Sequence, residues 1–159
     1  TGVQTCALPI CGQIRGEEPQ IYMIYAQGNP LRCTRSSPFL QIGESKYGRP
    51  ILDRGIRYDE TSLEEGVKYA LLSLDSTMRS NVAVGPPIDL LVYANDDFAV
   101  RRYRRLDPPD AELATIRSSW ERELRRAIQS LPDVGFAPLP DDERRGITLT
   151  RPADGGSRA

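Results

Sequence analysis

Two helix signatures follow one another in the middle of this chain with no strand between them, and that adjacency decides the fold class. The first covers residues 47–56, where Pro50 suits an opening turn and Ile51, Leu52 and Ile56 share a face. The second opens at Thr61 or Ser62, because Ser62 and Glu65 have the spacing of a capping box. Leu63, Val67, Ala70, Leu71 and Leu74 then recur at helical intervals, and the helix is expected to end between Asp75 and Ser80. Strand signals flank the pair. Residues 21–26 form an unbroken apolar and aromatic run, expected to be buried on both faces, and the Gln27-Gly28-Asn29-Pro30 turn leads to a return strand over 31–34. Phe39-Leu40-Gln41-Ile42 reads as a further short strand closed by Gly43. Beyond the helices, residues 88–93 are entered through Gly85-Pro86-Pro87 and pair with a partner in 98–106 across Asn95-Asp96-Asp97. A last helix runs from a cap at Asp110 to a stop at Pro132, apolar at Leu113, Ile116, Trp120, Leu124, Ala127, Ile128 and Leu131. That pattern lasts about three heptads, the lower limit for a coiled coil, so packing onto a sheet is the expectation. Strands, two helices, strands and a helix describe a layered α+β sandwich. Strict alternation, which a doubly wound sheet needs, is missing.

The two ends are set apart from this pattern. Residues 1–10, Thr1-Gly2-Val3-Gln4-Thr5-Cys6-Ala7-Leu8-Pro9-Ile10, resemble the forward translation of a common sequencing-adapter oligonucleotide, which would also supply the first base of the Cys11 codon. Residues 1–11 are therefore read as an artefact and excluded from fold reasoning. Residues 12–134 are read as the domain, truncated at its N-terminus. From 135 to 159 periodicity disappears while proline, glycine and charge rise, so this tail is expected to be disordered.

Cys33 is then the one cysteine with a secure place in the domain, which makes neither a disulfide framework nor a zinc site and fits a reducing cytoplasm. A buried thiol serving as a small hydrophobe is its simplest role. No apolar run approaches the length of a bilayer span, and no membrane association is expected. The formal net charge is −1 and the chain has no histidine. Its charge balance gives no general attraction for nucleic acid; the Arg101-Arg102-Tyr103-Arg104-Arg105 cluster is the local exception, read as a solvated strand or a salt-bridged contact. The missing imidazole removes Ser-His-Asp and Cys-His catalysis and imidazole-ligated metals from the residues present. Neither a P-loop nor a dinucleotide fingerprint occurs, since Gly43-Glu44-Ser45 followed by Lys46 lacks the glycine spacing. No cofactor and no metal are expected.

Three blocks carry more information: Gln41-Ile42-Gly43-Glu44-Ser45-Lys46-Tyr47-Gly48-Arg49-Pro50-Ile51-Leu52-Asp53-Arg54, then Asp75-Ser76-Thr77-Met78-Arg79-Ser80-Asn81, then Val84-Gly85-Pro86-Pro87-Ile88-Asp89-Leu90. Together they resemble the bacterial proteasome-like peptidase family Anbu, the ancestral β-subunit type, related to proteasome β subunits and HslV. The likeness runs from about Gly12 to about Pro132.

That resemblance implies an αββα sandwich of the N-terminal-nucleophile hydrolase type. It also implies a threonine endopeptidase that acts on unfolded proteins or peptides inside a homo-oligomeric ring or open helical assembly. A free α-amine, with a pKa of about 7.7–8.0, replaces histidine as the base. The nucleophilic threonine, a lysine and an aspartate would all lie upstream of Gly12. Thr1 does not inherit the nucleophile's role, because it stands before a strand from the middle of the fold. Supporting residues can be carried over: Gly43 and Ser45 in a turn beside the nucleophile, and Asp75 with Ser76 or Ser80 near its amine. In the bland alternative, Asp75 and Ser80 only cap a helix end and a turn. The rival function is a non-hydrolytic assembly or binding protein that keeps the fold.

Overall fold

The computed structural model describes residues 7–138. The adapter-like residues 1–6 and the tail from 139 onward lie outside the described residues. Strands β1 (Leu8–Gly12), β2 (Gln20–Ile24) and β3 (Pro30–Arg32) form an antiparallel sheet with β2 in the middle. Leu8 faces Ile24 and Gly12 faces Gln20 on one side of β2, and Met23 faces Leu31 on the other. The expected turn closes β2 onto β3: Gly28, at φ +85°, donates its N–H to the Tyr25 carbonyl at 2.8 Å. A φ in that region suits glycine, which has no Cβ to clash.

Helices α1 (Arg49–Gly55) and α2 (Leu63–Ser80) follow in succession, as the sequence requires. The capping box is present in full. Ser62 Oγ accepts from the Glu65 N–H at 3.2 Å, and the Glu65 carboxylate accepts from the Ser62 N–H at 2.9 Å. A second antiparallel unit joins β4 (Ile88–Val92) to β5 (Arg102–Leu106). Helix α3 (Ala111–Gln129) then starts at Asp110, whose carboxylate accepts the Leu113 N–H at 2.8 Å.

The main cluster joins α2 to the β4–β5 unit through Leu71, Ile88 and Leu106, with Val67, Met78, Leu113 and Ile116 packed around them. The N-terminal half of α3 thus covers both α2 and the second sheet. Towards its C-terminal end the apolar face is uncovered: Leu124 is 47% and Ile128 62% exposed.

Three expectations need correction. Residues 39–42 form no strand, because no neighbouring strand pairs with them and isolated extended backbone does not make a ladder. Strand β2 is not buried on both faces; Met23 alone is buried, Tyr22 and Ile24 are half-buried and Ile21 is 39% exposed. On α2 the buried set is Leu71, Leu72, Ser73, Asp75 and Thr77, so the buried stripe is rotated from the apolar one and Leu63 lies in solvent. Residues 8–11, set outside the domain by sequence, occupy β1, where every side chain is exposed and only backbone pairing holds the strand.

The β4–β5 unit and the first sheet meet at one polar junction. Tyr93 Oη donates to Gln13 Oε1 at 2.9 Å, the Asp96 N–H donates to the same oxygen at 2.8 Å, and Gln13 Nε2 returns a bond to Asp96 Oδ1.

Among the described residues, large apolar side chains exposed to water outnumber the buried ones, so the chain alone is expected to bind a hydrophobic dye and to melt without a sharp transition. Calorimetry checks this; a cooperative endotherm from a monomer would refute it.

Candidate functional site

The segment from Leu40 to Ser45, which joins the first sheet to α1, turns at Gly43 with φ +77°. The residue sits in open space, so backbone conformation rather than crowding selects glycine there. Gln41 Nε2 reaches across the turn to the Glu44 carbonyl at 3.4 Å, while the Glu44 carboxylate accepts the Lys46 N–H at 3.0 Å. Ser45 is half-buried, and its carbonyl accepts the Arg49 N–H at 3.0 Å, winding the chain into α1.

Helix α1 is seated on α2 through two glycines. An added Cβ at Gly48 would meet Ser73 Oγ at 2.2 Å, the Ser73 carbonyl oxygen at 2.6 Å and Thr77 Oγ1 at 2.9 Å. At Gly55 it would meet the Tyr69 ring at 2.0 Å. Thr77 Oγ1 in turn donates to the Ser73 carbonyl at 2.9 Å, so the buried Thr77 side chain is tied to the helix itself.

Between the Gly43 turn and this face of α2 lies a cavity of about 300 Å³, lined by Gln41, Gly43, Glu44, Ala70, Ser73, Leu74 and Thr77, with Leu52 and Val84 at its sides. Its walls are mostly apolar. Gln41 Oε1 is buried and has no hydrogen-bond partner among the described residues.

The structure brings some of the candidates to this cavity and leaves others away. Gly43 lines it, and Ser45 follows two residues on. Asp75 does not line it. That carboxylate is 5% exposed and lies at the α2–α3 contact, gripped by the Arg117 guanidinium, with Arg79 Nε at 3.5 Å. Arg79 also pairs with Glu121. Asp75 is thus the centre of an ion-paired clasp between two helices, not a helix cap. Ser76 is half-buried beside it, and Ser80 is the exposed last residue of α2. Sequence reasoning missed Ser73, Thr77, Gly48 and Gln41. The one available signal was the pair of small hydroxyl residues four apart on a helix otherwise rich in leucine.

The groups with shifted ionisation lie elsewhere. The Tyr103 hydroxyl beside Asp89 holds that carboxyl below its usual range, and the Leu113 N–H, followed by Arg104, does the same for Asp110. Burial raises the Cys33 thiol.

The arginine cluster is neutralised residue by residue. Arg101 pairs with Asp97, Arg102 with Glu64, Arg104 with Asp110 and Glu112, and Arg105 with Asp89 and Asp107. It is a salt-bridged surface. Among the described residues no group of three or more Cys, Asp or Glu side chains is placed to hold a metal, and no helix is long and apolar enough to cross a membrane.

The arrangement is that of an α+β chain of the N-terminal-nucleophile type: an antiparallel sheet, a short helix seated on a long one, a second antiparallel unit and a closing helix. No protein-family model matches the chain, and no curated protein does. Solved structures do. A Gly-1 mutant of Anbu from Hyphomicrobium sp. strain MC1 is 44% identical, with a TM-score of 0.76 over 79% of this chain and 55% of that one. The helical assembly of the Anbu complex from Pseudomonas aeruginosa is 44% identical, with a TM-score of 0.76 over 82% and 54%. The ancestral beta-subunit Anbu from Yersinia bercovieri is 39% identical, with a TM-score of 0.77 over 83% and 55%. The chain belongs to the Anbu family. It spans about half the length of these relatives.

Proposed function

We propose that this chain is part of a subunit of a proteasome-type threonine endopeptidase, which hydrolyses peptide bonds of unfolded proteins or peptides inside a homo-oligomer in the cytoplasm. The observation that carries the reading is identity of 39–44% to Anbu structures, spread over about four fifths of the chain. One of those relatives is a helical assembly, which supports an open helical or ring-like oligomer here. The chemistry is consistent with a chain that has no histidine, because an α-amine near neutral pKa takes a hydroxyl proton without help from imidazole. No cofactor enters.

The nucleophile, its lysine and its aspartate belong to the part of the fold that this chain does not match. What the chain supplies is support: the Gly43–Ser45 turn, with Ser76 or Ser80 as the serine near the amine. Asp75 takes part only through the helix clasp that positions α2. The chain by itself is expected to turn over no fluorogenic peptide, and a threonine-directed covalent inhibitor should leave Thr1 unmodified. Turnover above background, or a mass shift on Thr1, would contradict this. A non-hydrolytic assembly protein is the rival reading. Sequencing the gene upstream separates the two: a threonine directly after the start methionine, with a lysine some strands later, supports the enzyme.

A further inference from the structure

Two residues in the connection between β4 and β5, Asp96 at φ +63° and Phe98 at φ +47°, occupy the left-handed backbone region that a Cβ disfavours. Aspartate visits it with some ease, whereas a residue as bulky as phenylalanine stays there only under an external hold. The bend gives itself little support: its main-chain bond, from the Asp97 N–H to the Ala94 carbonyl, is long at 3.3 Å. The hold comes from the connection between β1 and β2. The Asp96 N–H donates to Gln13 Oε1 at 2.8 Å, and the Phe98 N–H donates at 3.2 Å to Tyr93 Oη, which itself donates to the same Gln13 oxygen at 2.9 Å. Both left-handed residues are thus tied to one atom, the first directly and the second through a hydroxyl. The rest of that amide is engaged as well. Gln13 Nε2 donates to Asp96 Oδ1 and to the Glu17 carbonyl, each at 2.9 Å, so this half-buried side chain uses both of its lone pairs and both of its N–H bonds. The Arg15 guanidinium, two residues on, lies over the Phe98 ring at 4.5 Å from its centroid.

We propose that Gln13 is the catch of a conformational latch, a side chain that keeps residues 94–98 in a bend they do not hold by themselves, so that the β1–β2 and β4–β5 connections open and close together. Because Nε2 also shapes its own turn through Glu17, a movement of residues 13–17 withdraws the acceptor from both amides at once. Asp96 and Phe98 then relax to negative φ, and the tip of the hairpin is freed from the first sheet. The latch couples two parts of the fold and stands apart from the peptidase reading.

Residue-resolved hydrogen exchange on the full chain tests it, with the α2 amides of Leu72 and Asp75 as the reference for general unfolding. In Gln13→Met, which keeps the length of the side chain and removes its four bonds, the Asp96 and Phe98 amides should exchange roughly tenfold faster while the α2 amides keep their rates. Tyr93→Phe removes the relay alone. It should speed the Phe98 amide by a similar factor and leave the Asp96 amide as it was. Arg15→Gln takes the cation off the ring and spares the amide network, so exchange at Asp96 should stay within about twofold of the unaltered chain.

Unchanged exchange at Asp96 and Phe98 in Gln13→Met overturns the latch, as does finding both amides already unprotected in the unaltered chain. Release of Asp96 by Arg15→Gln as large as that by Gln13→Met overturns it too, because the ring contact would then be the hold. Should Gln13→Met speed the α2 amides as well, the milder Tyr93→Phe decides: a rise confined to Phe98 supports the relay to Gln13, and no rise there refutes it.

Discussion

Replacing Gly48 by alanine is expected to lift α1 off α2. The new methyl would fall 2.2 Å from Ser73 Oγ, 2.6 Å from the Ser73 carbonyl oxygen and 2.9 Å from Thr77 Oγ1. Ser73 Oγ can rotate away, but the carbonyl belongs to the backbone of an 18-residue helix and cannot. Overpacking of this kind costs about 1–3 kcal/mol, and contact with fixed backbone places Gly48→Ala at the upper end. Because the Leu40–Ser45 segment leads directly into α1, the Gly43 turn should loosen with it. Trypsin cleavage at Arg54 and Arg57, followed by mass spectrometry, reads the effect, and faster cutting there than in the unaltered chain is expected. Gly66 provides the control. It lies in the same helix as Ser73 with nothing within 4 Å of an added Cβ, so Gly66→Ala should be neutral or stabilise by up to about 1 kcal/mol through helix propensity. Equal cleavage rates in both variants would refute the close-packing account.

The second large effect concerns the Asp75 clasp, and its two partners should behave unequally. Removing Arg117 leaves a carboxylate that is 5% exposed with only Arg79, at 3.5 Å, for company. Breaking a fully buried pair costs about 3–5 kcal/mol. The Arg117 side chain is 38% exposed and therefore partly screened, which lowers the expectation for Arg117→Met to roughly 2 kcal/mol. Asp75→Asn keeps a hydrogen-bonding group and leaves Arg117 free to reach water, so it should cost less, roughly 1 kcal/mol. Trp120 is the sole tryptophan and lies on α3 three residues beyond Arg117. Its emission should shift to the red more in Arg117→Met than in Asp75→Asn as α3 detaches. If Arg117→Met left the emission and α3 proteolysis unchanged, Asp75 would not be acting as a clasp.

Much of the architecture was legible because helices announce themselves locally. The Ser62–Glu65 box and the Asp110 cap are contained within four residues each, and both appear as read. Strands are different. Residues 39–42 have the composition of a strand but lack the neighbour that would make them one, and composition cannot supply a neighbour. The rotation of the buried face of α2 was illegible for a related reason. Asp75 and Thr77 can be buried only because Arg117 and the Ser73 carbonyl receive them, and Arg117 comes from a helix forty-two residues later. The cavity was half legible: Gly43 was named as a turn residue, but Ser73, Thr77 and Gln41 gain meaning only once α1 is laid across α2 at Gly48. Close approach at a glycine leaves no periodic trace in a sequence.

Strand β1 has a consequence for anyone handling the protein. Its ladder to β2 engages main-chain groups while all five residues are exposed to solvent, so the pairing is indifferent to which letters are written there. A short epitope, a fluorophore-bearing cysteine or a purification handle grafted onto that rim should be carried without disturbing the clasp at Asp75 or the seat at Gly48.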